Sequence, residues 1–214
     1  METTDPDYSV YLVADRSCCR GRDLLDVVEE AVRGGASLVQ LREKEGGARD
    51  FVQLARRMRR LLRSLEVPLI INDRVDVALA CGADGVHVGQ EDMDTRDVRL
   101  LTGPDFLVGL TVHTPELARE AGNLPVDYLG AGPVFGTASK SDPKPRLEAQ
   151  GLARIREQTV LPLVGIGSIS GDNAAEVIRA GADGVAAISA ICSAQSPFEA
   201  ARKLREAVRS ARSG

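Results

Sequence analysis

The chain has 214 residues, 43% hydrophobic and 27% charged, the balance of a globular protein and not of a disordered one. A net charge of −4 argues against a wholesale binder of nucleic acid or anionic membrane, and 3% aromatic content without Trp leaves little for stacking bases. No apolar run reaches the roughly 18 residues of a membrane-spanning helix. The stretch Met1–Asp7 is acidic and polar, unlike a secretory leader. Cys18, Cys19, Cys81 and Cys192 suit neither a zinc site nor a disulfide framework, so reduced thiols and a cytoplasmic location are expected. Two histidines, His87 and His113, exclude a histidine-rich metal site.

In chain order, short apolar runs alternate with segments of helical period. Strands are expected at Val10–Ala14, Leu38–Arg42, Pro68–Asn72, Gly85–Val88, Leu107–Thr111, Tyr128–Ala131, Pro162–Gly165 and Gly184–Ile188, each followed by a helix. The clearest helix follows the second strand. Phe51, Leu54, Ala55, Met58, Leu61, Leu62 and Leu65 form one apolar stripe, and Arg56, Arg57, Arg59, Arg60 and Arg63 lie mostly off it. Those arginines read as a solvated outer face with snorkelling stems. The last helix carries Phe198, Ala201, Leu204, Val208 and Ala211 on one face. Continuous apolar strands alternating with helices imply a parallel sheet covered on its outside. Eight such units suit a compact α/β fold, the (β/α)8 TIM barrel. The chain 1–214 is expected to form one such domain, with residues 1–8 a loose N-terminal tail.

An internal repeat supports the barrel. Gly82-Ala83-Asp84-Gly85-Val86 recurs as Gly181-Ala182-Asp183-Gly184-Val185, with Val126-Asp127-Tyr128 and Gly35-Ala36-Ser37-Leu38 as degenerate copies. The glycine ends a helix, and the short polar residue turns the chain into the next strand.

In this architecture the C-terminal strand ends share one rim, and chemistry sits there. Seven successive strands end in polar or glycine-rich residues. These are Gln40-Leu41-Arg42-Glu43-Lys44, Asn72-Asp73, Gln90-Glu91-Asp92, Thr111-Val112-His113, Gly130 to Lys140, Gly165-Ile166-Gly167-Ser168 and Ile188-Ser189. Arg42, Lys44 and Lys140 converging on one mouth imply an anion, with Thr137 and Ser139 adding hydroxyl donors. The glycine-rich loop at Gly165–Ser168 and the helical turn after Ile188-Ser189 make a second cradle, so two separate phosphate groups are implied. Asp73 and Asp92 would repel a phosphate unless a cation lay between them. Hard oxygen ligands beside substrate phosphates describe a Mg2+ site.

Each residue alone has a plainer role. Asp73 could cap a helix, and Arg42 and Lys44 could be surface charges at a strand exit. The Thr137–Lys140 segment could be a loop without function, and Gly165 and Gly167 could serve close packing. His87 fits a core or bottom-of-barrel position, and Cys81 and Cys192 fit packing. The constellation is more specific than any member.

These residues resemble the thiamine-phosphate synthase family. The segments carrying the resemblance are Gln40-Leu41-Arg42-Glu43-Lys44, Ile71-Asn72-Asp73-Arg74-Val75-Asp76, Gly85-Val86-His87-Val88-Gly89-Gln90-Glu91-Asp92, Gly132-Pro133-Val134-Phe135 and Val164-Gly165-Ile166-Gly167. The resemblance implies a (β/α)8 barrel that joins a hydroxymethylpyrimidine diphosphate to a thiazole phosphate, releasing diphosphate and giving thiamine monophosphate. It implies Mg2+ held by Asp73 and Asp92, and a pyrimidine diphosphate held by Gln40, Leu41, Arg42, Glu43, Lys44 and Asn72. Thr111 and Lys140 would contact the diphosphate. Thr137, Ala138, Ser139, Gly167, Ser168, Ile188 and Ser189 would hold the thiazole phosphate. Arg42, Lys44, Thr111 and Lys140 would stabilise the departing group, in a dissociative reaction without covalent nucleophile or histidine base. Three positions depart from the family pattern: Ser139 and Thr111 keep the hydroxyl expected there, and Ser168 replaces a glycine. A thiazole tautomerase of the same barrel family, a non-catalytic precursor-binding regulator and a purely structural barrel are alternatives, and the Asp73/Asp92 pair speaks against the first. Partners would be small molecules, without nucleic acid or membrane, and a homo-oligomer is compatible.

Overall fold

The computed structural model describes residues 6–136 and 145–213. Eight parallel strands close into a barrel in sequence order: β1 (Val10–Asp15), β2 (Leu38–Arg42), β3 (Leu69–Asn72), β4 (Gly85–Val88), β5 (Leu107–Val112), β6 (Tyr128–Ala131), β7 (Leu163–Ile166) and β8 (Gly184–Ala187). The intervening helices are α1 (Leu24–Arg33), α2 (Ala48–Ser64), α3 (Val75–Cys81), α4 (Thr95–Thr102), α5 (Pro115–Ala121), α6 (Glu148–Arg156) and α7 (Ala174–Arg179). Two helices follow β8: the single turn α8 (Ser189–Cys192) and the long α9 (Pro197–Arg212). The (β/α)8 expectation holds, with strand ends displaced by one residue at most. None of the helices among the described residues is long and apolar enough to cross a membrane.

Strand alternation divides the core into two layers. Tyr11, Val13, Leu38, Ile70, Tyr128, Val164 and Ala186 fill the barrel interior. Val10, Leu12, Val39, Leu41, Ile71 and Val86 face outward against the helices. The stripe expected on α2 is buried at Phe51, Leu54, Ala55, Met58 and Leu62. Of its arginines, Arg59 departs from the solvated face: it donates to the Gly82 carbonyl at 2.8 Å and pairs with Asp84 at 3.0 Å. Arg56 likewise reaches the Ala80 carbonyl at 3.1 Å. These guanidinium groups satisfy carbonyls that the end of α3 leaves open.

The internal repeat has a structural purpose beyond turning the chain. Asp84, Asp127 and Asp183 precede β4, β6 and β8, and each accepts the N–H of a residue on the preceding strand. The donors are Leu69 at 2.7 Å, Val108 at 2.6 Å and Leu163 at 2.8 Å. Each aspartate is also paired with an arginine of the helix before that strand: Arg59, Arg99 and Arg156. Ser37, in the degenerate copy, accepts from Val10 N–H at 3.2 Å. Four repeated clamps therefore tie alternate strand pairs at the floor, the end opposite the rim.

Residues 6–8 do not behave as the loose tail expected of 1–8. Tyr8 is 7% exposed and its ring stacks on Tyr128 with centroids 5.1 Å apart, because the open floor of the barrel offers an apolar seat. Asp7 pairs with Arg205 of α9 at 2.6 Å.

Two large interior side chains, Tyr128 and His87, fit because their neighbours are small. A Cβ at Gly109 would stand 2.2 Å from the Tyr128 ring and 2.4 Å from His87 Nδ1. Gly109→Ala is expected to lower stability by about 1–3 kcal/mol or more through overpacking. Urea unfolding checks this, and an unchanged midpoint would contradict it.

Candidate active site

Arg42 ends β2 facing the mouth, with half-buried surroundings. Its Nη1 pairs with Asp15 Oδ2 at the end of β1, and the carboxylate's other oxygen accepts from Ser17 N–H at 3.0 Å and Ser17 Oγ at 2.6 Å. Asp15 thus holds the guanidinium at the rim from the neighbouring strand. Gln40 lies one inward step below, buried, donating to the Tyr11 hydroxyl at 2.8 Å. The Leu41 side chain is fully buried in the outer layer, since a strand residue between two inward-facing ones must point away from the mouth, so the substrate contact expected there falls to its backbone alone. Glu43 also turns aside, reaching Arg16 at 3.7 Å and the Glu45 N–H at 2.9 Å.

Lys44 returns to the rim, and its Nζ lies 2.5 Å from Asp73 Oδ2. Asn72 Nδ2 donates to the other Asp73 oxygen at 2.5 Å. Asp73 is not a helix cap; Arg74 holds that position. Its backbone is left-handed, φ +60°, and is pinned by its own N–H donating to the His87 carbonyl at 2.8 Å. That turn aims the carboxylate across the exit of β4. There Asp92 accepts from Gly89 N–H at 2.7 Å in a tight turn. Desolvation holds Asp92's carboxyl above the ordinary range, and the facing Asp73 carboxylate adds to it against the pull of Gly89 N–H and Lys44.

Among the described residues no group of three or more His, Cys, Asp and Glu could hold a metal. A Mg2+ ion does not need one. It keeps several waters and takes one or two carboxylates plus substrate phosphates. Two hard carboxylates set against each other at an open rim, with Lys44 alongside, fit that ion.

On the far wall, Thr111 of β5 places Oγ1 2.8 Å from His87 Nε2, while its carbonyl accepts from Gln90 Nε2 at 2.6 Å. His87 is a core residue, as expected, and lies beneath the mouth instead of at the floor. The last quarter of the rim is backbone. Val134 N–H donates to the Ile166 carbonyl at 2.8 Å and Phe135 N–H to the Gly167 carbonyl at 3.2 Å, which seats the loop after β6 on the loop after β7. Gly167 has φ +116°, and a Cβ there would stand 2.7–2.8 Å from backbone atoms of residues 133–136. Ser168 follows with φ +50°, a left-handed conformation that the family's usual glycine adopts without strain. Ile188 leads into α8, so Ser189 begins the helical turn beside β1. Thr137, Ala138, Ser139 and Lys140 lie outside the described residues.

The structure thus brings Gln40, Arg42, Lys44, Asn72, Asp73, Asp92 and Thr111 together and excludes the Leu41 side chain. Asp15, Tyr11, His87 and Tyr128 are polar participants that the sequence reading left out of the site. Asp15 ends β1 in a polar residue, the same signal used for the other seven strands. The tyrosines carry no such mark, since an inward aromatic reads as core.

The raised Asp92 carboxyl has a consequence for the metal-free protein. A native value above the unfolded one stabilises the fold below the ordinary carboxylate range, and that contribution is lost as pH rises through the native value. Wild type should gain stability relative to Asp92→Asn as pH falls through this acid window. Parallel urea titrations measure the difference, and a pH-independent offset would contradict it.

The comparisons with known proteins agree with this geometry. The family model described as thiamine monophosphate synthase matches residues 10–191. A thiamine-phosphate synthase of Solidesulfovibrio magneticus is 56% identical over 199 residues, 93% of this chain and 94% of that protein. One from Albidiferax ferrireducens is 49% identical, covering 93% of this chain and 91% of its own length. A solved thiamine phosphate pyrophosphorylase from Pyrococcus furiosus superposes with a TM-score of 0.87 at 36% identity, covering 96% of this chain and 98% of that one. A match across nearly the full barrel, with relatives about half identical over more than nine-tenths of the chain, makes this chain a member of the thiamine monophosphate synthase family.

Proposed function

We propose that the C-terminal rim condenses 4-amino-2-methyl-5-hydroxymethylpyrimidine diphosphate with thiazole phosphate, giving thiamine monophosphate and diphosphate. The observation that carries the reading is the facing pair Asp73 and Asp92, with Lys44 on one of them and Arg42 in the same mouth. A tautomerase, with no diphosphate to hold, has no use for that pair.

Asp73 and Asp92 would hold Mg2+, which when bound would neutralise charge on the diphosphate. Arg42, held at the rim by Asp15, sets its positive charge beside the diphosphate. Lys44 turns from Asp73 towards the same anion as the charge on the leaving oxygen grows. Thr111 offers a hydroxyl from the opposite wall, and Asn72 and Gln40 orient the pyrimidine from below. The backbone of Gly167 and Ser168, with Ser189 at the start of α8, receives the thiazole phosphate. Thr137, Ala138, Ser139 and Lys140 complete the anion contacts in this reading. The bond to diphosphate breaks first, the electron-rich aminopyrimidine stabilises the cation, and the thiazole nitrogen attacks it. The rim therefore supplies leaving-group stabilisation and positioning, without a covalent nucleophile. Four free cysteines suit a reducing, cytoplasmic setting.

Incubation with each substrate alone, with both, and with both plus EDTA tests the reading. Diphosphate release is expected only with both substrates, to stop on chelation and to return with Mg2+. Asp92→Ala should lower kcat by about 100-fold or more with an unchanged circular dichroism spectrum. Turnover indifferent to EDTA, or normal in the variant, would contradict the assignment.

A further inference from the structure

A buried polar chain crosses the barrel interior beneath the mouth. Gln40 Nε2 donates to the Tyr11 hydroxyl at 2.8 Å, and the Tyr11 and Tyr128 hydroxyls meet at 2.8 Å. Tyr128 Oη lies 3.1 Å from His87 Nδ1, and His87 Nε2 lies 2.8 Å from Thr111 Oγ1. Burial holds both phenols above their ordinary value, so they remain protonated donors. The two ends, Gln40 and Thr111, stand on β2 and β5 and face substrate in the proposed function. The three members between them have no part in it.

Donor counting gives the chain a direction. A phenol has one O–H, and an amide nitrogen cannot accept. With Gln40 donating to Tyr11, the arrangement that gives each buried O–H of the chain an acceptor within it sends the Tyr11 O–H to Tyr128 and the Tyr128 O–H to His87 Nδ1. A bare Nδ1 puts the proton of the neutral ring on Nε2, which donates to Thr111 Oγ1. The Thr111 O–H is then left for the mouth. Turning the Gln40 amide over reverses every step: the Thr111 O–H is used by His87, and only lone pairs face outward. The first direction can meet an anion and the second repels it.

We propose that Tyr11, Tyr128 and His87 are positioning residues that hold His87 in its Nε2–H tautomer, turn the Thr111 hydroxyl proton towards the diphosphate, and tie that orientation to the Gln40 amide on the opposite wall. The last step rests on the reading of Thr111 as a diphosphate contact; the direction of the chain does not.

Nitrogen-15 spectra of the labelled full-length protein distinguish the tautomers. His113→Asn leaves His87 as the one remaining histidine of two. The Nε2–H form is expected with the native Gln40. Gln40→Glu at mildly alkaline pH introduces a carboxylate that can only accept, and should switch His87 to Nδ1–H. Adding Tyr11→Phe should restore Nε2–H, because the Tyr128 hydroxyl again has His87 to donate to. A packing role moves none of these signals. An Nδ1–H ring with the native Gln40, or no switch in Gln40→Glu, overturns the proposal. Thr111→Val separates the two readings. Unchanged kcat and KM for the pyrimidine diphosphate, with the wild-type protein in the Nε2–H form, would remove the Thr111 contact and leave the chain's direction standing.

Discussion

Asp73 lies against Asp92, and this approach of two like charges is the interaction on which the rest of the rim depends. Left to themselves the carboxylates would separate, since each is solvated better alone. They do not separate because the backbone decides otherwise. The left-handed turn at Asp73 is bonded to the His87 carbonyl, and Asp92 is fastened to the Gly89 N–H. Lys44 offsets part of the repulsion, and Asp92's carboxyl is raised first by its desolvation and then by the facing Asp73. A site arranged this way favours a hard cation, and then an anion that brings further oxygens.

Barrel closure distributes the work between the two ends. At the floor, Ser37, Asp84, Asp127 and Asp183 fasten alternate strand pairs and draw in Arg59, Arg99 and Arg156 from the outer helices. At the rim, inward positions of β2, β3 and β5 carry Arg42, Asn72 and Thr111, groups that could bind or orient a ligand. His87 connects the ends of this logic. Its carbonyl fixes Asp73, while its ring reaches Thr111 on the next strand. Asp15 does the same for Arg42, trading a charge on β1 for the placement of a guanidinium on β2.

Much of this was legible before any coordinates. Apolar runs located all eight strands, and the rule that chemistry gathers at their C-terminal ends singled out Arg42, Lys44, Asn72, Asp73, Asp92 and Thr111 as candidates. What escaped was whatever depends on direction and not on type. Leu41 sits between two site residues in sequence yet points into the outer layer, because alternation overrides adjacency. Arg59 reads as one solvated charge among five, and only the position of the end of α3 makes it a clamp. Tyr11 and Tyr128 read as core, which they are. That their hydroxyls meet requires two strands on different sides of a closed barrel, a long-range fact that local periodicity does not contain.

The most direct test of the account is diffraction from crystals grown with Mn2+ and inorganic diphosphate, with the metal located by its anomalous signal. The account predicts one strong peak between the Asp73 and Asp92 carboxylates, with the diphosphate reaching from it towards Arg42 and Lys44. A peak elsewhere on the molecule, or a diphosphate bound with no metal between those two residues, would contradict it.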